Sequence, residues 1–410
     1  MPKNTVGKRQ QMKPTKSIPK SHSDFWKILP IFVTWRIILF VLAFLAVFFI
    51  TKFGNRFPYA DRVLSITNLP SWVWGFGNFD GVHYLKLAQN GYEAQYSQAF
   101  FPLYPLLIKL FNFFPKGNLD PSLYTDPSYF YTGIILSTAL FIAALYFLLK
   151  LWGKEYSSKV AWLSILLLLS FPTSFYFGAI YSESLFFLLA VLTFWFVKKD
   201  KFILAGIMVA LASATKVQGV LLTVFLAVEL WEKYKGRIKN AGKDLLRDVF
   251  GVIISPLGLF AYMYYLYRKF SDPIYFLTVQ PAFGAERSSL PLVTLPQVIY
   301  RYVKMLFSLD PGSLGFWNAT LELFVTVISI SGLIYAFRKI KFSYWIFVAL
   351  VVIFPTMTGT LSSMPRYVLM AFPLLPLIAK FNKTSRYIII AQVLLGIVLV
   401  ALFIRGYWVA

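Results

Sequence analysis

The sequence predicts an all-α polytopic membrane protein, on the evidence of its composition, its apolar runs and its basic loops. Of the 410 residues, 58% are hydrophobic and 14% are charged, which is too little polar surface to coat a water-soluble globule of this length. Apolar runs such as 28–50, 130–149 and 387–404 approach the roughly 20 residues that a helix needs to cross about 30 Å of hydrocarbon. Basic residues lie mainly in short loops between such runs, where positive charge orients the spans. Aromatic rings at span ends, such as Tyr387 and Trp408, suit the headgroup zone.

The composition also excludes several classes of function. The net charge of +23 would suggest nucleic acid in a soluble protein, but its placement between apolar runs favours a role in membrane orientation. The chain has no cysteine, so disulfides and thiolate chemistry are excluded, and its two histidines leave little scope for a histidine-rich metal site. We therefore expect no nucleic-acid partner and no resident cofactor, with a divalent metal ion as an open alternative.

The basic loops set the direction of the spans. Residues 1–27 are basic and lack the small-residue cleavage site of a signal peptide, so we predict a cytoplasmic tail followed by one transmembrane domain, 28–410. The first span then delivers a large outer loop, 51–128, and a second long outer segment covers 268–316. This threading gives about eleven spans in the cell membrane, or the endoplasmic reticulum membrane of a eukaryote, with the N-terminus in the cytoplasm.

The later spans follow in order because the direction must alternate between basic loops. We predict, in chain order, 130–149 inward, 160–178 outward, 184–198 inward, a hairpin over 202–231 that turns near 216–219, 248–267 outward, 317–336 inward, 343–360 outward, 366–380 inward and 387–404 outward. The segment 99–114 is apolar but short and contains two prolines, which predicts an interfacial or re-entrant helix. A full crossing there would reverse the direction of every later span.

The first outer loop carries the most informative polar pair, Asp80 and His83. If the segment that follows Asp80 is helical, these two residues lie three positions apart on one face. A carboxylate and an imidazole could then act together on one substrate. The alternative is that Asp80 caps the helix while His83 is solvated.

Four further charged residues are predicted to reach the same outer face. Glu183 lies where a span begins, although the helix dipole alone would favour a carboxylate there. Lys216 lies between two apolar halves, and a cation at membrane depth costs roughly 2.5–3.5 kcal/mol unless it is paired, wet or extended to the headgroups. Arg287 lies in the second outer segment, and Arg366 starts a span, where an interface anchor is the plain alternative. Their arrival on one face from distant parts of the chain indicates a common site.

Several segments resemble the PIG-V mannosyltransferases, which add the second mannose in the GPI-anchor pathway and have bacterial relatives. Residues 78–84, 88, 91–92 and 99–102 resemble the first luminal loop of that family, and 181–186 and, more loosely, 212–219 continue the similarity. The first half of the chain is covered well, and the second half by topology and the region of Arg366. The chain departs from the family at Phe79, where Trp is usual, and at Lys216 and Gln218, where Arg and Asn are usual. Lysine cannot reproduce the bidentate fork of arginine on a phosphate.

The resemblance implies a GT-C fold with a catalytic aspartate in the first outer loop and a polyprenyl-phosphate sugar as donor. Carried to this chain, it implies a catalytic role for Asp80. From their placement and charge we predict His83 as a second catalytic residue. We also predict donor or acceptor binding by Tyr84, Tyr181, Glu183, Lys216, Gln218, Arg287 and Arg366. The expected reaction is an inverting transfer of a hexose, expected to be mannose, to a hydroxyl of an extracytoplasmic glycolipid or glycan. The lack of a Gly-rich phosphate loop fits a lipid-phosphate donor. The alternatives are a lipid-linked sugar carrier or flippase and a noncatalytic scaffold.

Overall fold

The computed structural model describes residues 21–54, 63–114, 126–236, 242–284, 287–288 and 293–409, and helix is the only regular secondary structure in these ranges. Residues 1–20 of the predicted tail lie outside them, as do 55–62 and 115–125 of the predicted first outer loop. The first helix already begins at Ser21, seven residues before the predicted start of the domain.

Helices of eight or more residues account for most of the described chain. In order they are α1 (Ser21–Phe49), α2 (Asp80–Asn90), α3 (Leu103–Leu110), α4 (Pro127–Glu155), α5 (Ser158–Ser170), α6 (Glu183–Lys198), α7 (Phe202–Ser213), α8 (Leu221–Tyr234), α9 (Gly242–Ile254), α10 (Leu257–Phe270), α11 (Leu295–Ser308), α12 (Leu314–Ala336), α13 (Phe342–Ile353) and α14 (Asn382–Ile404). Shorter 3₁₀ and one-turn helices connect them.

The described helices confirm the predicted fold class. Five stretches are long and apolar enough to cross a membrane: Asp24–Phe49, Pro127–Glu155, Gly242–Phe270, Leu314–Ala336 and Asn382–Ile404. Shorter apolar helices accompany them, among them α5 and α7. The chain is therefore a polytopic helical membrane protein, while the count of eleven spans stays a prediction.

Side-chain caps fix where several helices begin. The Asp126 carboxylate accepts a hydrogen bond from the Ser128 amide at 2.8 Å, and Pro127 supplies a residue that needs no amide partner at the first position of α4. The Ser313 hydroxyl accepts from the Phe316 amide at 3.2 Å in the same way. These caps satisfy amides that would otherwise lack partners at the ends of apolar helices.

The segment 99–114 does not cross the bilayer as a helix. Within it, α3 has eight residues and is about 12 Å long at 1.5 Å per residue, far short of about 30 Å of hydrocarbon. Its Tyr104 hydroxyl lies 2.6 Å from the Ser137 hydroxyl of α4, and the Leu103 amide donates to the Ala214 carbonyl at 3.0 Å. The helix is packed into the bundle, as a re-entrant helix would be, and the direction of the later spans stays a prediction.

Ionic contacts join the loops that the threading places in the cytoplasm. Lys198 lies 2.9 Å from Glu155, and Lys341 lies 2.5 Å from Glu229, so that α6 contacts α4, and the start of α13 contacts α8. Lys233 pairs in the same region with the buried Asp248 of α9 at 2.6 Å. One end of the bundle therefore collects these basic loops together with their acidic partners.

The hairpin between α7 and α8 turns where the sequence predicts. A 3₁₀ turn, Val217–Val220, connects the two helices. At its centre, a Cβ on Gly219 would lie 2.2 Å from the carbonyl carbon of Ala212, so only glycine allows the backbones to approach this closely.

We expect Gly219→Ala to lower the melting temperature of the detergent-solubilised protein by about 5 °C or more, because the added methyl group must push two backbones apart. Gly153→Ala is the matched control, since a Cβ on that α4 residue would meet nothing within 4 Å. Equal melting temperatures for the two variants would contradict the close approach.

Candidate active site

Asp80 is held at the start of α2 by contacts from two distant parts of the chain. The residue before it, Phe79, has a φ of 59°, an uncommon value that turns the chain into the helix. The Asn78 side chain donates to the Phe403 carbonyl at 2.9 Å, and the Tyr181 hydroxyl donates to the Asn78 carbonyl at 2.9 Å. The same hydroxyl accepts from the Asp80 amide at 3.3 Å. The carboxyl-terminal end of α14 and the segment before α6 thus fix this corner.

The Asp80 carboxylate forms an ion pair with Arg366. The Arg366 Nη1 atom lies 2.6 Å from Asp80 Oδ2, and the two side chains are 7% and 22% exposed. Burial alone would raise the pKa of Asp80, but the charge of the Arg366 guanidinium and its hydrogen bond hold that pKa below its usual value. Asp80 is therefore an ionised, partnered carboxylate, and not the helix cap of the alternative reading.

A second ion pair joins Glu183 and Lys216 beside the first. Lys216 Nζ lies 2.5 Å from Glu183 Oε1, and the Glu183 side chain is 1% exposed. The Nε atom of Arg366 lies 3.4 Å from the same carboxylate oxygen, so Glu183 connects both cations. Lys216 therefore points into the protein towards a carboxylate, not outwards to the headgroups. The other oxygen, Glu183 Oε2, is buried without a hydrogen-bond partner among the described residues.

Aromatic rings surround the Arg366 guanidinium. Its carbon lies between 5.4 and 5.9 Å from the ring centroids of Tyr176, Tyr181, Tyr367 and Trp408. Rings at this distance attract a cation through their quadrupole. Three of these residues, Tyr176, Tyr367 and Trp408, were not predicted as site residues, because nothing in the sequence distinguishes them from the many other aromatic residues. Trp408 in particular contacts site residues, because its ring also lies 5.2 Å from that of Phe79.

His83 lies against aromatic rings on the same helix face as Asp80. Its imidazole stacks on Phe100 with centroids 4.6 Å apart, and the Phe283 ring meets it edge-on at 5.8 Å. Burial lowers the pKa of His83 to about 4, although the nearby Asp80 charge raises it. The imidazole is therefore neutral near pH 7 and is enclosed, not solvated.

Two other predicted residues occupy different positions around the site. The Tyr84 hydroxyl lies 2.8 Å from the Ser182 hydroxyl, and the side chain is buried, so Tyr84 supports the segment that carries Glu183. Arg287 donates to the Gln280 side-chain oxygen at 3.4 Å, and its charge acts on Asp80. Both residues come together with the ion pairs, although their predicted binding roles stay predictions.

A cavity opens beside the two cations. The polar residues in its lining are Lys216, Gln218, Arg366 and Tyr367. The apolar ones are Phe186, Val351 and Met370. Gln218 therefore joins the site as a lining residue. Within the described ranges, no group of three or more His, Cys, Asp or Glu side chains could hold a metal ion.

These features define the class of protein: a polytopic helical membrane protein with a buried ionic site at one end of its bundle, next to a partly apolar cavity. The chain belongs to the family described as Mannosyltransferase (PIG-V), whose model matches residues 26–404. It is 27% identical over 138 residues to GPI mannosyltransferase 2 of Drosophila pseudoobscura pseudoobscura, a stretch that covers 33% of this chain. The chain thus spans only 29% of the length of that relative. No solved structure matches.

We expect the stability of the protein to fall as the pH decreases from about 6.5 towards 4, because the pKa of His83 is lower in the folded than in the unfolded chain. In this pH range His83 binds a proton in the unfolded chain but stays neutral in the folded chain. Asp80 acts at lower pH: its folded pKa is also lowered, so its stabilisation is lost only below the usual range of a carboxyl.

Melting temperatures in detergent between about pH 7 and 4.5 provide the measurement, with His83→Gln as the comparison. The variant should lose less stability than the original chain across this range. Parallel curves would show that His83 keeps an ordinary pKa.

Proposed function

We propose that the protein is an inverting glycosyltransferase that moves a hexose, expected to be mannose, from a polyprenyl-phosphate sugar to an acceptor hydroxyl of a glycolipid or glycan. The observation that carries this proposal is the convergence of Asp80, Arg366, Glu183 and Lys216 beside the partly apolar cavity. Membership of the family supports the choice of sugar. We place the site on the extracytoplasmic face, or the lumenal face of the endoplasmic reticulum in a eukaryote, with the N-terminus in the cytoplasm.

The residues that line the cavity offer the two kinds of contact that an anionic and partly apolar donor needs. Lys216 and Arg366 offer donors to a phosphate, and Phe186, Val351 and Met370 offer apolar contact to the first units of a hydrocarbon chain. Around it, the two carboxylates are matched by the two cations that they contact. Arg287, whose guanidinium donates to the side-chain oxygen of Gln280, adds positive charge to the site. This balance favours an anionic ligand.

The proposed step is a single displacement. The acceptor hydroxyl oxygen attacks the anomeric carbon, the bond from that carbon to the phosphate oxygen breaks, and its electron pair leaves on the lipid phosphate. The hydroxyl proton passes to Asp80, and the anomeric configuration inverts. General-base help of this kind contributes about 10²- to 10⁴-fold in rate. Neutral His83 orients the acceptor or Asp80 through its ring nitrogens.

The ion pair with Arg366 makes Asp80 a weak base, which fits a late proton transfer. A hydroxyl oxygen becomes strongly acidic only once its bond to the anomeric carbon is largely formed. Asp80 then needs to accept a proton from an activated oxygen, not to remove one from a free alcohol. The preorganised cations contribute more, since they stabilise the charge that develops on the phosphate.

A sugar carrier or flippase is the rival from another class. Transporters tend to place their binding groups near the bilayer midplane on broken helices and to show internal repeats. Here the ion pairs lie at the starts of α2 and α6 and in the turn before α8, and no repeat is evident in the sequence. Proteoliposomes supplied with donor and acceptor, with sugar transfer and donor translocation measured in parallel, distinguish the two functions. Translocation without transfer would contradict the proposal.

We expect Asp80→Asn to lower the transfer rate about 10²-fold or more, because an amide cannot take up the hydroxyl proton. The variant should still fold and bind donor, although its melting temperature falls because Arg366 loses a charged partner, so the rate is compared per folded molecule. Asp244→Asn, at an exposed site on α9, is the control and should transfer normally. Each assay is run with and without EDTA, so that a requirement for a divalent ion is seen separately. Wild-type transfer by Asp80→Asn would refute its role as base.

We expect Lys216→Ala to raise the donor KM and to lower kcat, because one of the two cations beside the cavity is lost. Lys216→Arg keeps the charge and should retain most of the activity, which separates the charge from the fold. Because Lys216→Ala leaves Glu183 with a single cation, the melting temperature of each variant is measured alongside. Unchanged donor kinetics in a folded Lys216→Ala variant would show that this lysine has a purely structural role.

A further inference from the structure

Glu322 is a buried carboxylate that the proposed displacement does not use. It lies in the span-forming helix α12 and is 5% exposed. A carboxylate in a membrane helix is costly to insert unless it has partners, so its presence calls for a specific function. The residues that it contacts indicate this function.

The partners of Glu322 lie on α11 and in the segment that follows α13. The Tyr302 hydroxyl of α11 donates to Glu322 Oε2 at 2.6 Å. The same hydroxyl accepts from the Leu361 amide at 3.0 Å and lies 3.0 Å from the Thr360 hydroxyl. The Ser363 backbone amide also faces the carboxylate. One phenol and one carboxylate therefore contact three of the four residues 360–363, and the Ser362 amide donates to the Thr360 hydroxyl at 3.1 Å.

These four residues lead directly into the helical turn that carries Arg366. Gly359 has a φ of 85° and Ser363 a φ of 70°, so the chain enters and leaves the segment in left-handed conformations. For a residue other than glycine, such a conformation costs about 1–3 kcal/mol and persists only where its surroundings fix it. The Ser363 carbonyl then accepts the Arg366 amide at 3.0 Å and starts the turn Met364–Tyr367.

A second contact from a distant segment holds the same turn. The Thr173 hydroxyl, from the segment after α5, donates to the Pro365 carbonyl at 2.6 Å. The turn that carries Arg366 is thus held by two separate anchors. The anchor formed by Tyr302 and Glu322 comes from α11, which lies within the second outer segment, and from α12, which follows it.

We infer that Tyr302 and Glu322 are positioning residues that place Arg366 against Asp80 and the donor phosphate. They act through residues 360–363 and do not touch the substrate. This inference rests on the proposed transfer reaction for its kinetic test. A guanidinium displaced by about 1 Å can lower a rate by about a hundredfold, so an anchor that only shifts Arg366 is enough to control the reaction.

The first test replaces the phenol by a matched ring. Tyr302→Phe removes the hydroxyl alone, and Tyr300→Phe, at a 69% exposed position of the same helix, is the control. We expect Tyr302→Phe to lower kcat per folded molecule about tenfold to a hundredfold, with the acceptor KM little changed, while Tyr300→Phe stays normal. A loss of activity that merely follows the folded fraction would overturn the inference.

The second test separates position from stability. Glu322→Leu removes a carboxyl group that is costly in a membrane helix, but it also leaves the Tyr302 hydroxyl without its acceptor, so the two effects on stability oppose each other. We expect this variant to stay folded and to lose kcat per folded molecule about tenfold or more, while Glu322→Gln, which keeps an oxygen for the Tyr302 hydroxyl, recovers part of it. Full activity in a folded Glu322→Leu variant would overturn the inference.

A third measurement does not depend on transfer. The Leu361 amide should exchange its hydrogen faster in Tyr302→Phe than in Tyr300→Phe, and the peptides that cover 360–367 should show the difference. Equal exchange in the two variants would overturn the positioning role. If the original chain transfers no sugar while the exchange differs, the proposed function fails and the anchoring of the Arg366 turn stands.

Discussion

The ion pair between Asp80 and Arg366 is the contact on which the site depends. It joins residues 286 positions apart, so the first outer loop and the last third of the chain must fold against each other before it can form. Two charges removed from water lose several kcal/mol of hydration each and recover it only with good geometry and further partners. Glu183 and the aromatic rings around the guanidinium supply those partners. The shape of this end of the bundle follows from that need.

The helices break where they deliver charged residues to this site. Lys216 precedes a 3₁₀ turn, Glu183 begins α6 after a 3₁₀ turn, and Arg366 lies in a one-turn helix beyond α13. A break leaves backbone amides and carbonyls without helical partners, which is tolerated at membrane depth only where protein encloses them. Hydrogen bonds such as those from Thr173 to Pro365 and from Leu103 to Ala214 meet this requirement. The short helices are thus a consequence of building a polar site inside an apolar bundle.

The sequence predicted the fold class and most of the charged residues, because a charge among apolar residues is costly and therefore informative. Asp80, Glu183, Lys216 and Arg366 were predicted on one face, and the structure brings them together. Which carboxylate contacts which cation was not predictable, since that depends on the packing of segments far apart in the chain.

The aromatic neighbours could not be found in the same way. Aromatic residues make up 19% of the chain, so a further tyrosine or tryptophan carries no signal of its own. For that reason the sequence predicted Trp408 only as a residue at the membrane interface, whereas its ring contacts Arg366 and Phe79. Helix length alone does not give the number of spans either, since broken helices such as α7 and α13 have 12 residues each and are shorter than a standard span.

The ion pair also explains how charge would be balanced during the proposed displacement. The phosphate of the donor carries one negative charge, and the lipid phosphate that leaves gains a second. In the same step the hydroxyl proton neutralises Asp80, so Arg366 loses its anionic partner as a new negative charge appears beside it. The guanidinium can then turn its hydrogen bonds from the carboxyl to the phosphate without any net change in the charge of the site. The pairing that weakens Asp80 as a base therefore also provides a guanidinium that can stabilise the departing phosphate as the new bond forms.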